Sequence, residues 1–158
     1  MKNIIIRDMQ PGDIEALSRL EAQIFSIPWS KQTFAGLLEH AYCHYLVAAR
    51  GEELIGCVGM ADICHEGNID KVMVARGERG RGLAQRMLEM LFVKGEAIGI
   101  TAYTLEVRVS NQAAIHIYKK LGFVGEGIRP SFYEHPREDA LIMWRRQNRE
   151  ALISSDIP

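Results

Sequence analysis

The segment from Val72 to Leu91, VMVARGERGRGLAQRMLEML, constrains the fold and the chemistry of this chain more than any other. It begins with a short apolar run that is typical of a buried strand. It ends with apolar residues at helical spacing, namely Leu83, Met87, Leu88 and Leu91. The turn between them holds Gly77, Gly80 and Gly82, and glycines allow a tight bend and a close approach of the backbone to a ligand. The segment therefore predicts a strand, a glycine-rich turn and a helix.

Positive charge is concentrated at this turn. Its arginines are Arg76, Arg79, Arg81 and Arg86, although the formal net charge of the whole chain is only -1. The first amides of a helix lack partners within the helix, and the helix dipole favours anions at that end. The turn therefore predicts a ligand that carries phosphate. A solvated, arginine-rich turn that does no more than begin a helix is the alternative.

Two common phosphate-binding motifs do not fit the turn. A Walker loop requires lysine and then serine or threonine, whereas Gly82 is followed by Leu83 and Ala84. The dinucleotide motif GxGxxG requires a third glycine where Gln85 stands after Gly80 and Gly82. The ligand is therefore expected to be neither a nucleoside triphosphate in a Walker loop nor a dinucleotide in a Rossmann fold.

The segments before the turn are predicted to form scaffold. They comprise a strand at residues 3–7, a helix after Pro11, a short helix capped by Ser30, and strands at 44–49, 54–63 and 69–74. We place the hairpin turns at Gly51 and at Gly67-Asn68.

The segments after the turn continue the alternation of strands and helices. Residues 102–109 alternate between apolar and polar side chains and predict a half-buried strand with Glu106 on its polar face. Asn111 is expected to cap the next helix, and Gly122 to end it. Strands at 123–128 and 140–144 follow, separated by a loop from Arg129 to Pro136.

Composition restricts the class of protein. With 158 residues, 47% of them hydrophobic, we expect one globular domain at 1–147 and a flexible tail at 148–158. The pI near 6.5 argues against a nucleic-acid or membrane-surface partner, and no apolar run is long enough for a signal segment or a membrane span. We expect a cytoplasmic protein. The three cysteines lack CxxC spacing and the five histidines are scattered, so no metal is predicted.

Two segments resemble one enzyme family. The spacing Arg79-x-x-Gly82-x-Ala84, five residues after Val74, resembles the coenzyme A pyrophosphate loop of the GNAT superfamily of N-acetyltransferases. The segment from Leu105 to Phe123, LEVRVSNQAAIHIYKKLGF, resembles the fifth strand and fourth helix of the same enzymes and follows the loop in the expected order. The chain is therefore identified as a member of this superfamily.

Within the superfamily the chain is most similar to the ribosomal-protein alanine N-acetyltransferases of the RimI type. The likeness rests on Pro28-Trp29-Ser30, Leu105 to Asn111, Gly127-Ile128-Arg129 and Glu138 to Trp144. The chain departs from the pattern in three places: Ala75-Arg76-Gly77 replaces the usual proline after the fourth strand, Gly67 to Lys71 is atypical, and Phe132 precedes Tyr133 in the usual tyrosine pair.

The resemblance implies an α/β (α+β) fold with a mixed, mostly antiparallel sheet of about seven strands and about four helices. It implies acetyl-CoA as the donor, Glu106 as the general base and Tyr118 as the general acid. The implied coenzyme contacts are Val72, Met73, Val74, Arg79, Gly80, Arg81, Gly82, Leu83, Ala84, Asn111 and Tyr118. Trp29 and Tyr133 would line a groove for the acceptor peptide. Without the resemblance, the sequence would indicate that Glu106 is an exposed strand carboxylate and Asn111 a helix cap. Tyr118, Trp29 and Tyr133 would then be packing residues.

The acceptor follows partly from chemistry. An N-terminal amine has a reference pKa of ~7.7 to 8.0 against ~10.4 for lysine, so a single carboxylate base suits an N-terminus better. The RimI-type resemblance implies the N-terminal alanine of a small-subunit ribosomal protein. A lysine, amino-acid or polyamine acceptor is the first alternative, and a non-catalytic acetyl-CoA sensor is the second. The presence of both Glu106 and Tyr118 argues against a sensor.

Overall fold

Seven strands and four helices make up residues 3–147, the part of the chain that the computed structural model describes; the predicted tail at 148–158 lies outside the described residues. In chain order the elements are β1 Ile4–Asp8, α1 Ile14–Ile24, α2 Lys31–Glu39, β2 Cys43–Arg50, β3 Glu53–Ile63, β4 Glu66–Val74, α3 Leu83–Ala97, β5 Ala102–Arg108, α4 Gln112–Lys120, β6 Val124–Glu134 and β7 Arg137–Arg146. Short 3-10 turns at Pro11–Asp13 and Arg76–Glu78 precede α1 and α3. Over the described range, no helix combines the length and the apolar character needed to cross a membrane.

The strands form one sheet in the order β1-β2-β3-β4-β5-β7-β6. Every neighbouring pair is antiparallel except β4 and β5, which confirms the predicted mixed sheet. The parallel pairing is short, because Glu66 to Asn68 pair with Ala102 to Thr104 and no later residues of the two strands are paired. Beyond Asn68 and Thr104 the sheet therefore has a gap in its middle.

Both faces of the sheet are covered by helices. Residues of α3 and α4, including Met87, Leu91 and Tyr118, belong to one apolar cluster. Leu17 of α1 and Phe34 of α2 belong to a second cluster. A strand that is buried on both faces needs apolar side chains at successive positions, which explains why β3 is an almost continuous apolar run.

The turn between β3 and β4 differs from the prediction. Cys64 and His65 form it, with φ angles of 51° and 64°, so the hairpin places two non-glycine residues in the left-handed region. Gly67 lies inside β4, where an added Cβ would lie 2.7 Å from Cδ1 of Tyr103. The prediction of a turn at Gly67-Asn68 is wrong because this glycine is required by the packing of a distant tyrosine, not by a local bend.

The predicted loop from Arg129 to Pro136 is also wrong over most of its length. β6 runs to Glu134, and its pairing with β7 is irregular between Gly125 and Gly127 and again between Arg129 and Tyr133. There the Ser131 amide donates a hydrogen bond of 2.8 Å to Oδ1 of Asp139. β6 is an edge strand, and an edge strand tolerates a proline such as Pro130 because not every N–H is needed for pairing.

Candidate active site

A cavity of about 610 Å³ lies where β4 and β5 separate. Elements that are distant in sequence supply its walls. They are the connection between α1 and α2 at residues 25–27, β4 at 69–72, β5 at 105–108, the N-cap and last turn of α4 at Asn111 and Tyr118, and the β6–β7 hairpin at 132–135. The cavity therefore depends on the gap in the sheet, which leaves room between the two central strands.

A β-bulge in β4 shapes one wall of this cavity. Lys71 lies opposite Gly59 and Ile69 lies opposite Met60, so Asp70 has no partner residue on β3. A bulge redirects side chains and increases the local twist, and both Asp70 and Lys71 line the cavity. The tyrosine hydroxyl of Tyr45 donates a hydrogen bond to Asp70.

Glu106 and Tyr118, the predicted base and acid, both line the cavity. Glu106 projects from β5 between the buried residues Leu105 and Val107, and its Oε1 lies 3.5 Å from Nε of Arg129. Tyr118 is only 7% exposed, and burial together with the nearby Tyr133 raises the pKa of its hydroxyl. Tyr118 consequently keeps its proton at neutral pH, which a general acid requires.

The glycine and arginine turn has the geometry expected of an anion site. Gly80 and Gly82 both have φ of 77°, and an added Cβ at either position would meet no atom within 4 Å. Gly82 is the N-cap of α3 and supplies no side chain to the first amides of the helix. Arg81 is largely exposed, whereas Arg79 donates from Nε to the Val74 carbonyl at 3.2 Å. The turn follows β4 directly, so a ligand on the turn can extend along β4 into the gap.

A family comparison agrees with these features. The model of the Acetyltransferase (GNAT) family matches residues 14–123. The chain belongs to the GNAT acetyltransferase family. Family membership confirms the predicted activity class, an acetyl-CoA-dependent N-acetyltransferase.

Individual GNAT relatives give the same result. A Bacillus subtilis (strain 168) protein named as a candidate [ribosomal protein bS18]-alanine N-acetyltransferase is 35% identical over 140 residues, which is 88% of this chain and 93% of that protein. The [ribosomal protein bS18]-alanine N-acetyltransferase of Escherichia coli (strain K12) is 31% identical over 140 residues, with coverages of 87% and 94%. The crystal structure of the ribosomal-protein-S18-alanine N-acetyltransferase from Escherichia coli superposes with a TM-score of 0.83 at 28% identity, covering 91% of this chain and 94% of that one. These likenesses confirm the RimI-type resemblance.

The other predicted coenzyme contacts of the GNAT site lie on β4 and α4. Val72 lines the cavity, and Met73 and Val74 continue β4 past the point where β5 pairs with it. Backbone groups on this edge have no strand partner in β5 and can bind a ligand, apart from the Val74 carbonyl, which already accepts from Arg79. Asn111 lines the cavity and also caps α4, since its Oδ1 accepts the Ala114 amide at 3.2 Å. Its cap role is thus confirmed, while its coenzyme contact stays a prediction.

Tyr133 lies on the cavity wall, as the predicted acceptor groove requires. Its ring lies 4.3 Å from the Arg108 guanidinium, and burial raises the pKa of its hydroxyl. Arg108 donates to the Pro136 carbonyl at 2.8 Å and contacts Glu138 at 3.3 Å. Arg108 therefore fixes the tip of the β6–β7 hairpin against the end of β5.

Trp29, the other predicted groove residue, is not among the residues that line the cavity. Its ring covers Nζ of Lys71 at 3.8 Å and packs on Phe34 with centroids 5.6 Å apart. Lys71 is paired with Glu21 of α1, a contact that was not predicted from the sequence. The sequence did hold a signal for it, because Glu21 and Lys71 are charged residues on otherwise apolar faces of α1 and β4.

We expect Gly82→Val to weaken acetyl-CoA binding to this GNAT enzyme by at least about tenfold, equivalent to ~1.4 kcal/mol. The valine side chain would occupy the open space above the first amides of α3, and φ of 77° strains any β-branched residue. Calorimetric titration with acetyl-CoA measures the effect. Gly77→Val is the matched control, because Gly77 lies in the same turn with open space around it and without a positive φ. Unchanged affinity in a folded Gly82→Val variant would contradict the assignment of this turn to the coenzyme.

Proposed function

We propose that this enzyme transfers the acetyl group of acetyl-CoA to the N-terminal α-amine of a protein, and that the acceptor is the N-terminal alanine of a small-subunit ribosomal protein. The observation that carries the proposal is the convergence of Glu106, Tyr118 and Tyr133 on one cavity in a chain similar to ribosomal-protein alanine N-acetyltransferases. A cytoplasmic location belongs to the same proposal, because ribosomal proteins are made and assembled there.

Glu106 is the proposed base. The amine arrives as an ammonium ion and must lose a proton before it can attack. Glu106 accepts that proton, directly or through one water, from the side of the cavity that β5 forms. Its contact with Arg129 is long and exposed, at 3.5 Å, and so leaves the carboxylate available to a second cation.

Tyr118 is the proposed acid. Acetyl-CoA supplies an acetyl group activated as a thioester. The new C–N bond forms as the C–S bond breaks, the nitrogen releases its second proton to solvent, and the departing thiolate needs a proton. Tyr118 holds one, since burial raises the pKa of its hydroxyl. The backbone of Met73 and Val74, on the unpaired edge of β4, is the proposed contact for the pantetheine arm and the acetyl carbonyl. Arg79, Arg81 and the amides from Gly80 to Ala84 are proposed to hold the pyrophosphate.

The rim of the cavity suits an extended chain end. The α1–α2 connection and the β6–β7 hairpin meet there, with Ser26 Oγ donating to the His135 carbonyl at 3.4 Å. Three large apolar side chains at the cavity are exposed, Phe25 at 37%, Ile27 at 65% and Phe132 at 45%. Exposed apolar side chains beside a cavity are typical of a surface that a ligand covers. Tyr133 is proposed to shape the slot for the first residue of the peptide.

A pair of matched peptides tests the acceptor. Both begin with alanine and contain an internal lysine, and one has its N-terminus acetylated beforehand. We expect the free peptide to gain one acetyl group on its first residue and the blocked peptide to gain none, as measured by intact mass and fragmentation. A panel of peptides that differ only in the first residue then measures the preference for alanine.

Acetylation of the blocked peptide would contradict the N-terminal assignment and favour a lysine acceptor. Transfer to neither peptide but to free amino acids or polyamines would favour a small-molecule acceptor. Binding of acetyl-CoA without transfer to any amine would favour a sensor.

A further inference from the structure

A buried ion pair forms the base of the α1–α2 connection. Nζ of Lys71 lies 2.6 Å and 2.8 Å from the two carboxylate oxygens of Glu21. Lys71 is 6% exposed and Glu21 is 1% exposed. The two residues are 50 positions apart, so the pair ties α1 directly to the bulged segment of β4.

The pair also holds the chain between α1 and α2. The Trp29 amide donates to Oε1 of Glu21 at 3.2 Å, and the Trp29 ring covers Nζ of Lys71. On the other side, the Phe25 ring lies 4.5 Å from the same nitrogen. Phe25 at the start of this connection and Trp29 near its end thus both contact one ammonium group.

Fold stability alone does not account for such a pair. Removing two charges from water is costly, and replacing a buried ion pair with uncharged residues of similar volume is often neutral for stability. What the pair provides is position, because two charges buried this deeply must stay within hydrogen-bonding distance of each other. The residues that it orders, Phe25 to Ile27, form a wall of the cavity, and Lys71 itself lines the cavity beside them.

We infer that the Glu21–Lys71 pair is a positioning device for the acceptor. It holds the α1–α2 connection, through Phe25 and Trp29, in the position that closes the acceptor side of the cavity against the β6–β7 hairpin. Lys71 and Glu21 are positioning residues and take no part in proton transfer. Trp29 then acts on the acceptor site indirectly. It packs on Lys71 behind the cavity wall and does not contact the peptide. The inference rests on the proposed function in one respect, namely that the acceptor enters on this side.

The test removes the pair without leaving a buried charge alone. In the double variant Glu21→Gln/Lys71→Met both charges are lost, the side-chain volumes are kept, and the Gln carbonyl can still accept from the Trp29 amide. We expect the KM for the acceptor peptide to rise by about 10- to 100-fold, as expected for misplacement of a binding wall, while kcat at saturation and acetyl-CoA affinity change little.

A second readout needs no acceptor. The chain has two tryptophans, and Trp144→Phe leaves Trp29 as the only one, which long-wavelength excitation selects over the five tyrosines. In this background the double variant should expose Trp29 to acrylamide, so that the quenching constant rises. The matched control is Arg7→Met/Asp13→Asn, which removes a bidentate pair with distances of 2.8 Å and 2.9 Å whose residues do not line the cavity.

The inference stands if both the acceptor KM and the quenching constant rise in the double variant and neither rises in the control. It is overturned if the acceptor KM matches that of the control, whether or not quenching rises, because the wall would then not serve acceptor binding. If the wild-type enzyme acetylates lysine or a small amine, the proposed function fails, but the inference is still tested, since KM is then measured for that amine in the same cavity.

Discussion

Glu106→Gln should lower kcat by roughly 10²- to 10⁴-fold near neutral pH, the range that is typical for loss of a general base. The acetyl-CoA affinity should change little, because the predicted coenzyme contacts lie on β4, α4 and the turn before α3. Stability should also be retained, since the only ion pair recorded for Glu106 in the described structure is the exposed contact with Arg129. Steady-state kinetics with an alanine-first peptide measures the effect.

The pH dependence of the Glu106→Gln variant identifies the missing step. Raising the pH toward the pKa of an N-terminal amine, ~7.7 to 8.0, supplies the acceptor already deprotonated, so part of the lost rate should return. Glu134→Gln is the matched control, because Glu134 is a carboxylate on the wall of the same cavity but belongs to β6. If the Glu106→Gln variant keeps wild-type kcat at low pH, Glu106 is not the general base and is only an exposed strand carboxylate.

Tyr118→Phe should lower kcat by roughly 10²- to 10⁴-fold as well, through loss of the general acid. Phenylalanine keeps the packing against Phe123, whose ring centroid is 5.8 Å away, so the fold should be retained. In contrast to Glu106→Gln, the defect should not be relieved at higher pH. In this variant Glu106 still deprotonates the amine, and the missing step is protonation of the thiolate. An acetyl donor with a more acidic thiol should relieve it, since that thiolate leaves without a proton.

The control for this second variant is Tyr103→Phe. Tyr103 is also a buried tyrosine, and its hydroxyl donates to the Phe92 carbonyl at 3.3 Å, but it does not line the cavity. Its loss should affect thermal stability and leave kcat close to the wild-type value. If Tyr118→Phe behaves like Tyr103→Phe, then Tyr118 is a packing residue of α4, which its position on the buried face of that helix also fits.

Features that depend on neighbouring residues could be predicted from the sequence. The caps at Ser30 and Asn111 were predicted from residue type, and each accepts the expected backbone amide, from Thr33 and Ala114. The alternation along β5 placed Glu106 on the less buried face, where it lies. These predictions succeeded because a cap or a strand face is fixed by residues only a few positions apart.

Two local signals were misread for a physical reason. Gly67 and Pro130 are residue types that often mark turns, but each also occurs in strands under a tertiary constraint. At Gly67 the constraint is the ring of Tyr103, and at Pro130 it is the position of β6 at the edge of the sheet. The local sequence is the same in either case, so only the contact partners distinguish them.

The sequence by itself determined the family and the order of the elements, and it predicted an anion-binding turn before α3 and the residues proposed as base and acid. The tertiary structure decided how those residues meet: the short pairing of β4 with β5 opens the cavity, and the bulge at Asp70 turns β4 toward it. It also decided the role of Lys71, whose partner Glu21 lies on α1, a helix far from β4 in the sequence. The physical reason is that an ion pair, a cavity and the end of a strand pairing depend on distances between segments far apart in the chain, which no periodicity or motif records.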